Sequence, residues 1–216
     1  MPTPTPRPSA SGPFLPGLEL ARRFYTEAVR PLLADAAPGI PYGLKTLVPL
    51  RKNLTWYPHD TWLRVLATHW QAIADEEAFV GRCGEVGDEL GSAVVTASLT
   101  RTLMRLCLLM NRRYPPYAKW LGTAFTRTPE GAHLTPVLAA ALTAPDWHTR
   151  ETHLTTAYET LATLHNQLRL TDRVNPTTRP YHSRPFRVLR ADRFAEALLS
   201  RATAPENDKI PRAEII

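Results

Sequence analysis

An all-α fold, a single bundle of about six to eight helices around a central apolar helix, is predicted by three features of the 216-residue chain. Apolar residues recur at three- and four-residue spacing through several long segments. Prolines are plentiful, 21 against 10 glycines, and many stand at segment boundaries, where they punctuate helices rather than break them. The stretch from about 92 to 111 is apolar nearly all round, as expected of a helix packed on several sides.

The elements follow in chain order. Residues 1–16 (MPTPTPRPSASGPFLP) read as a disordered or extended lead, rich in Pro, Ser and Thr. A first helix is expected from about Leu18 to Asp35, with Leu18, Phe24, Tyr25, Val29, Leu32 and Leu33 at helical spacing and Pro38-Gly39 as its stop. Residues 38–58, with prolines at 38, 41, 49 and 58, form a connection unusually long for a compact domain. A second helix is expected from His59-Asp60 to just before Gly81, carrying Trp62, Leu63, Leu66, Trp70, Ile73 and Phe79. Four glycines follow, at 81, 84, 87 and 91, and then the central helix. Pro115-Pro116 ends that helix. A short helix over Tyr117–Phe125 comes next, then one from about Thr135 with Pro136 at its first position. A further long helix spans Pro145-Asp146 to about Leu168. A loop covers 171–185, an extended segment Phe186–Leu189, and a last helix Ala191–Ala202, leaving 206–216 as a tail.

Charge and cysteine content restrict function without fixing it. The net charge of +6 permits phosphate or anionic partners but does not require them. No Lys/Arg run longer than a pair occurs, so nucleic acid is not expected as a partner. Cys83 and Cys107 form no CxxC, which argues against a disulfide framework or a cysteine zinc site. The seven histidines show no HExxH, and no metal or other cofactor is expected. With no secretory signal, and an apolar run of only Leu106–Met110, the expectation is a cytoplasmic protein that does not enter a membrane.

Three constellations carry candidate chemistry. Were the glycine segment helical in its later part, Glu85, Asp88, Glu89 and Ser92 would share one face. They would then either orient a ligand, or cap a helix whose glycines permit close packing. Arg105, with Arg101 one turn earlier, lies in an apolar helix and needs a partner, because a guanidinium cannot shed its charge. Glu85, Asp88, Glu89 or an anionic ligand could serve. Arg113, Tyr117, Lys119 and Trp120 flank a rigid diproline and could present rings for stacking beside a cation, or simply form a helix joint. His165 is a further candidate for proton transfer, beside Glu85 and Asp88.

Several strings together are specific: Trp56–Trp62 (WYPHDTW), Glu77–Ser92 (EAFVGRCGEVGDELGS), Leu103–Phe125 (LMRLCLLMNRRYPPYAKWLGTAF), Leu164–Leu168 (LHNQL) and Arg184–Val188 (RPFRV). With Gly17–Leu33 and Pro38–Tyr42, they resemble the DUF4037 family of nucleotidyltransferase-like proteins over most of residues 17–200. The domain is taken as 17–205. The resemblance implies a catalytic module after Tyr42, with a Gly-Ser turn and an acidic pair. Here Tyr42 leads within about a dozen residues to Trp56, and Gly91-Ser92 is followed by no acidic residue until Glu130. Transfer of a nucleotidyl group needs carboxylates to hold Mg²⁺ against the triphosphate. The expectation is a helical small-molecule-binding domain that has lost nucleotidyl transfer. Two alternatives stay open: an enzyme repurposed for acid–base or cyclisation-type chemistry on a small hydrophobic metabolite, and a non-catalytic accessory subunit. A bared apolar surface would be covered by self-association or by a separate protein partner.

Overall fold

In the computed structural model, residues 55–202 are described, and they hold seven helices and one two-residue ladder. The expected first helix, the Pro-rich lead, most of the 38–58 connection and the 206–216 tail lie outside the described residues. The all-α expectation holds for the rest.

Helix α1 (His59–Glu76) buries Trp62, Leu63, Leu66, Ala67, Trp70 and Ile73, one stripe at helical spacing. It does not run on to Gly81 as the periodicity suggests. Glu77 and Ala78 interrupt it, and α2 (Phe79–Glu85) begins a separate short turn of helix. No Gly or Pro marks this break. Its cause is tertiary, because the Glu77 carboxylate is drawn inward to accept hydrogen bonds from Leu189 N (2.6 Å) and Ala191 N (3.1 Å).

Helix α3 (Glu89–Met110) is the central one, starting three residues earlier than its apolar pattern implies because Asp88 caps it, accepting from Gly91 N at 2.7 Å. It packs on α1 and α2 and on the helices α4 (Ala118–Thr126), α5 (Pro129–Thr143) and α6 (Trp147–Gln167). By length and composition α3 is the one described helix that could cross a membrane, yet Leu99, Leu103 and Leu106–Met110 lie in the core of this bundle. That burial explains its apolar character.

The start of α5 corrects the sequence expectation. Pro136 lies inside the helix, not at its first position; that place belongs to Pro129. Thr128 caps the helix by accepting from Gly131 N at 3.0 Å, a signal as good as the one read at Thr135. Asp146 caps α6 through Thr149 N (2.9 Å). The Arg179–Pro180 and Arg187–Val188 strands pair antiparallel, with Arg179 opposite Val188. Helix α7 (Asp192–Arg201) closes the bundle against α1, where Phe194 stacks on Trp70 with ring centroids 4.6 Å apart.

A small second core holds Ala78, Trp147, Phe186 and Val188. The glycines of α2 belong to it. A methyl group on Gly81 would overlap the Phe186 ring, and one on Gly84 would overlap the Trp147 indole. Gly84→Ala should therefore destabilise the protein by about 1–3 kcal/mol, the usual cost of overpacking, read as a lowered midpoint in urea. An unchanged midpoint would mean that α2 and α6 are not so closely apposed.

Candidate functional site

The acidic segment does not form one face. Glu85 ends α2, Asp88 caps α3, and the chain turns between them at Gly87, whose φ of 76° favours glycine. Each acid has its own partner. Glu85 meets Arg184 (3.4 Å), Asp88 holds Gly91 N, and Glu89 is ion-paired to Arg150. Arg150 is buried and also donates to the Ala144 carbonyl (3.0 Å). These carboxylates hold the α2–α3 turn against α6 and the 181–186 loop.

His165 is fully buried. Trp70 Nε1 donates to its Nδ1 (3.2 Å), which fixes the neutral tautomer with the proton on Nε2, facing Thr171 Oγ1 at 3.1 Å. Burial pushes its pKa down to about 4. A histidine so placed touches no open cleft. The residue that sequence reasoning missed is Glu77, a buried carboxylate pushed up to about 7 by desolvation, against the pull of its backbone donors. No local signal distinguishes it from Glu76.

Along the diproline strip, Tyr117 precedes α4 with no capping side-chain hydrogen bond and is exposed, as is Trp120, with Lys119 Nζ 5.1 Å from the Trp120 ring centroid. Arg113 donates to the Arg127 carbonyl (3.2 Å), pinning the α3–α4 connection to the end of α4. This strip and the arginine pair of α3 are not brought into one site.

The arginine pair of α3 lines one groove. Arg101 and Arg105 line a groove of about 320 Å³ between α1 and α3, together with Thr68, His69, Ala72, Ser98 and Thr102. The helices are antiparallel here: Trp62 near the start of α1 donates from Nε1 to the Leu109 carbonyl near the end of α3, at 2.9 Å. Both arginines come from the same face one turn apart, and no carboxylate lines the groove. The Nε of Arg105 is buried and has no hydrogen-bond partner among the described residues. His69 Nδ1 lies 2.8 Å from the Val65 carbonyl and therefore carries the proton there, leaving Nε2 as an acceptor. Burial, and then the positive charge of Arg105, lower its pKa. The result is a cationic indentation flanked by three hydroxyls.

Two further grooves border α6. One of about 480 Å³ is lined by Glu130, Glu159 and a row of threonines, but Glu130 already accepts from Asn111 Nδ2 (2.8 Å) and Glu159 from Thr178 N (2.8 Å). Among the described residues no group of three or more His, Cys, Asp or Glu side chains could hold a metal ion.

Comparison with known proteins gives one family match. Residues 40–121 match the model of DUF4037, described as a domain of unknown function. No curated protein and no solved structure matches the chain. The matched stretch covers α1, α2 and α3, and thus every residue lining the arginine groove.

Proposed function

We propose that this is a helical small-molecule-binding domain whose ligand carries an anionic group held by Arg101 and Arg105. The observation that carries the reading is that Arg105, whose buried Nε has no hydrogen-bond partner among the described residues, lines with Arg101 a groove without carboxylates. All three sequence-predicted acidic partners are engaged elsewhere, which leaves an anion as the natural complement. The domain is read as cytoplasmic and descended from a nucleotidyltransferase-like ancestor. Nucleotidyl transfer is not part of the reading, because no acidic residue follows Gly91-Ser92 before Glu130.

Sulfate tests this directly, since its charge is constant over the relevant pH range. Sulfate should raise the unfolding midpoint by mass action. Arg105→Gln should weaken binding roughly tenfold to a hundredfold, the worth of a lost hydrogen bond between charged groups. The midpoint of the variant without sulfate checks that it remains folded. Binding should also tighten as pH falls below the usual histidine range, because a protonated His69 joins the two arginines. His69→Gln should remove that rise. An identical sulfate response in Arg105→Gln and the parent protein would sink the assignment.

A further inference from the structure

We infer that the ligand is an anionic amphiphile, a single apolar chain ending in a phosphate or carboxylate, with its head in the arginine groove and its tail along the exposed row of α3. This rests on the anion-site reading above and extends it from the head to the rest of the molecule. Leu90, Val94, Ala97, Arg101 and Arg105 recur at three- and four-residue spacing and so share one face of α3. That face changes character along its length. Arg101 and Arg105 border the groove at one end, while Leu90 and Val94 are 78% and 62% exposed at the other. Val86, in the turn just before α3, is 81% exposed. Elsewhere α3 buries its leucines, Leu99, Leu103, Leu106, Leu108 and Leu109, and half-buries Val95. The open row is therefore the exception within its own helix, and it leads out of the cationic groove.

Charge selects the occupant. Within the row the cations are Arg101 and Arg105, both at the groove end, whereas at the turn Glu85 and Glu89 are paired with Arg184 and Arg150 and Asp88 caps α3. An anionic bilayer laid on this face would find no unpaired cation of the row at the apolar end. A single chain puts its charge at the arginines and an uncharged tail at the turn. Leu90 and Arg101 are eleven residues apart, about 16 Å along the helix, a span that an extended alkyl chain of medium length covers. Arg101 and Arg105 line the groove between α1 and α3, so a head bound to both sits in that groove, which a monomeric amphiphile can reach.

The test compares ethyl phosphate with dodecyl phosphate, the latter below its micelle concentration, by calorimetric titration of the full chain. Both should bind, and dodecyl phosphate should bind at least about a hundredfold more tightly; full burial of each methylene would give about fourfold, and an open row gives less. Val94→Glu should abolish the chain-length difference and leave ethyl phosphate binding intact. Arg105→Gln should weaken both. If ethyl phosphate binds and the longer chain adds nothing, the tail assignment fails while the anion site stands. If neither binds, the anion site itself fails. Binding to vesicles of anionic lipid without binding of monomeric dodecyl phosphate would overturn the inference in favour of a membrane surface. A dimer in light scattering that Val94→Glu dissociates, with no chain-length effect, would overturn it in favour of a second copy of this chain.

Discussion

Glu89→Ala is expected to destabilise the fold by about 3 kcal/mol, whereas Arg150→Met should cost about 1 kcal/mol or less. The asymmetry comes from burial. The Arg150 side chain is 6% exposed and that of Glu89 41%. Removing the glutamate strands a guanidinium in the interior, and an arginine cannot neutralise itself. Removing the arginine leaves a carboxylate that can turn to water. The figure for Glu89 sits at the lower end for a broken buried pair because Arg150 keeps the Ala144 carbonyl. Unfolding in urea of both variants measures the difference, and equal losses would show that the ion pair is worth only its surface Coulomb energy.

The second large effect is a pair of opposed pH dependences. Glu77 has a folded pKa raised to about 7 from 4.5, so its contribution is fully present below pH 4.5 and is lost as pH rises through 7. His165 has a folded pKa lowered to about 4 from 6.5, so its contribution is fully present above pH 6.5 and is lost as pH falls through 4. Each amounts to roughly 3 kcal/mol, since a tenfold change in proton affinity corresponds to about 1.4 kcal/mol. Between pH 4.5 and 6.5 they act in opposite directions and largely cancel. Their combined contribution to the stability of the parent protein should be nearly flat there. Glu77→Gln should expose stability that rises with pH, and His165→Gln stability that falls with it. Gln can accept from Trp70 Nε1 at 165 and from Leu189 N at 77, where its amide nitrogen leaves Ala191 N without an acceptor at a cost that does not vary with pH. Parallel profiles for the three proteins in urea titrations would refute the burial of both groups.

These two groups also mark where the sequence stops being legible. Helix spans came through wherever a capping side chain or a proline coincided with the end of an apolar stripe, as at Asp146 and Pro115. They failed where the determinant lies far along the chain. The break after Glu76 is made by backbone donors at 189 and 191, more than a hundred residues away. Pro136 misled because one local pattern fits two helix starts, and only packing chose Thr128-Pro129. For the site, Arg101 and Arg105 could be read together because their four-residue spacing survives in any helix. The grouping of Glu85 with Glu89 assumed a continuous helix, which Gly87 denies. Arg150 and Glu77 look like ordinary surface residues in sequence; their burial exists only once α3, α6 and α7 have come together.

The seating of α7 against α1 has a consequence for biosynthesis. The first described helix finds its main partner in the last, so this contact spans the greatest sequence separation in the described bundle. On the ribosome, the side of the Trp70 ring that Phe194 covers stays open while some 120 residues are added (roughly 6–24 s at ordinary elongation rates), although α3 and His165 of α6 come earlier in the chain. Through that interval the nascent chain presents a sticky aromatic surface. The Glu77 hydrogen bonds and the Trp70–Phe194 stack both wait for this last segment, so a chain halted before residue 189 lacks both.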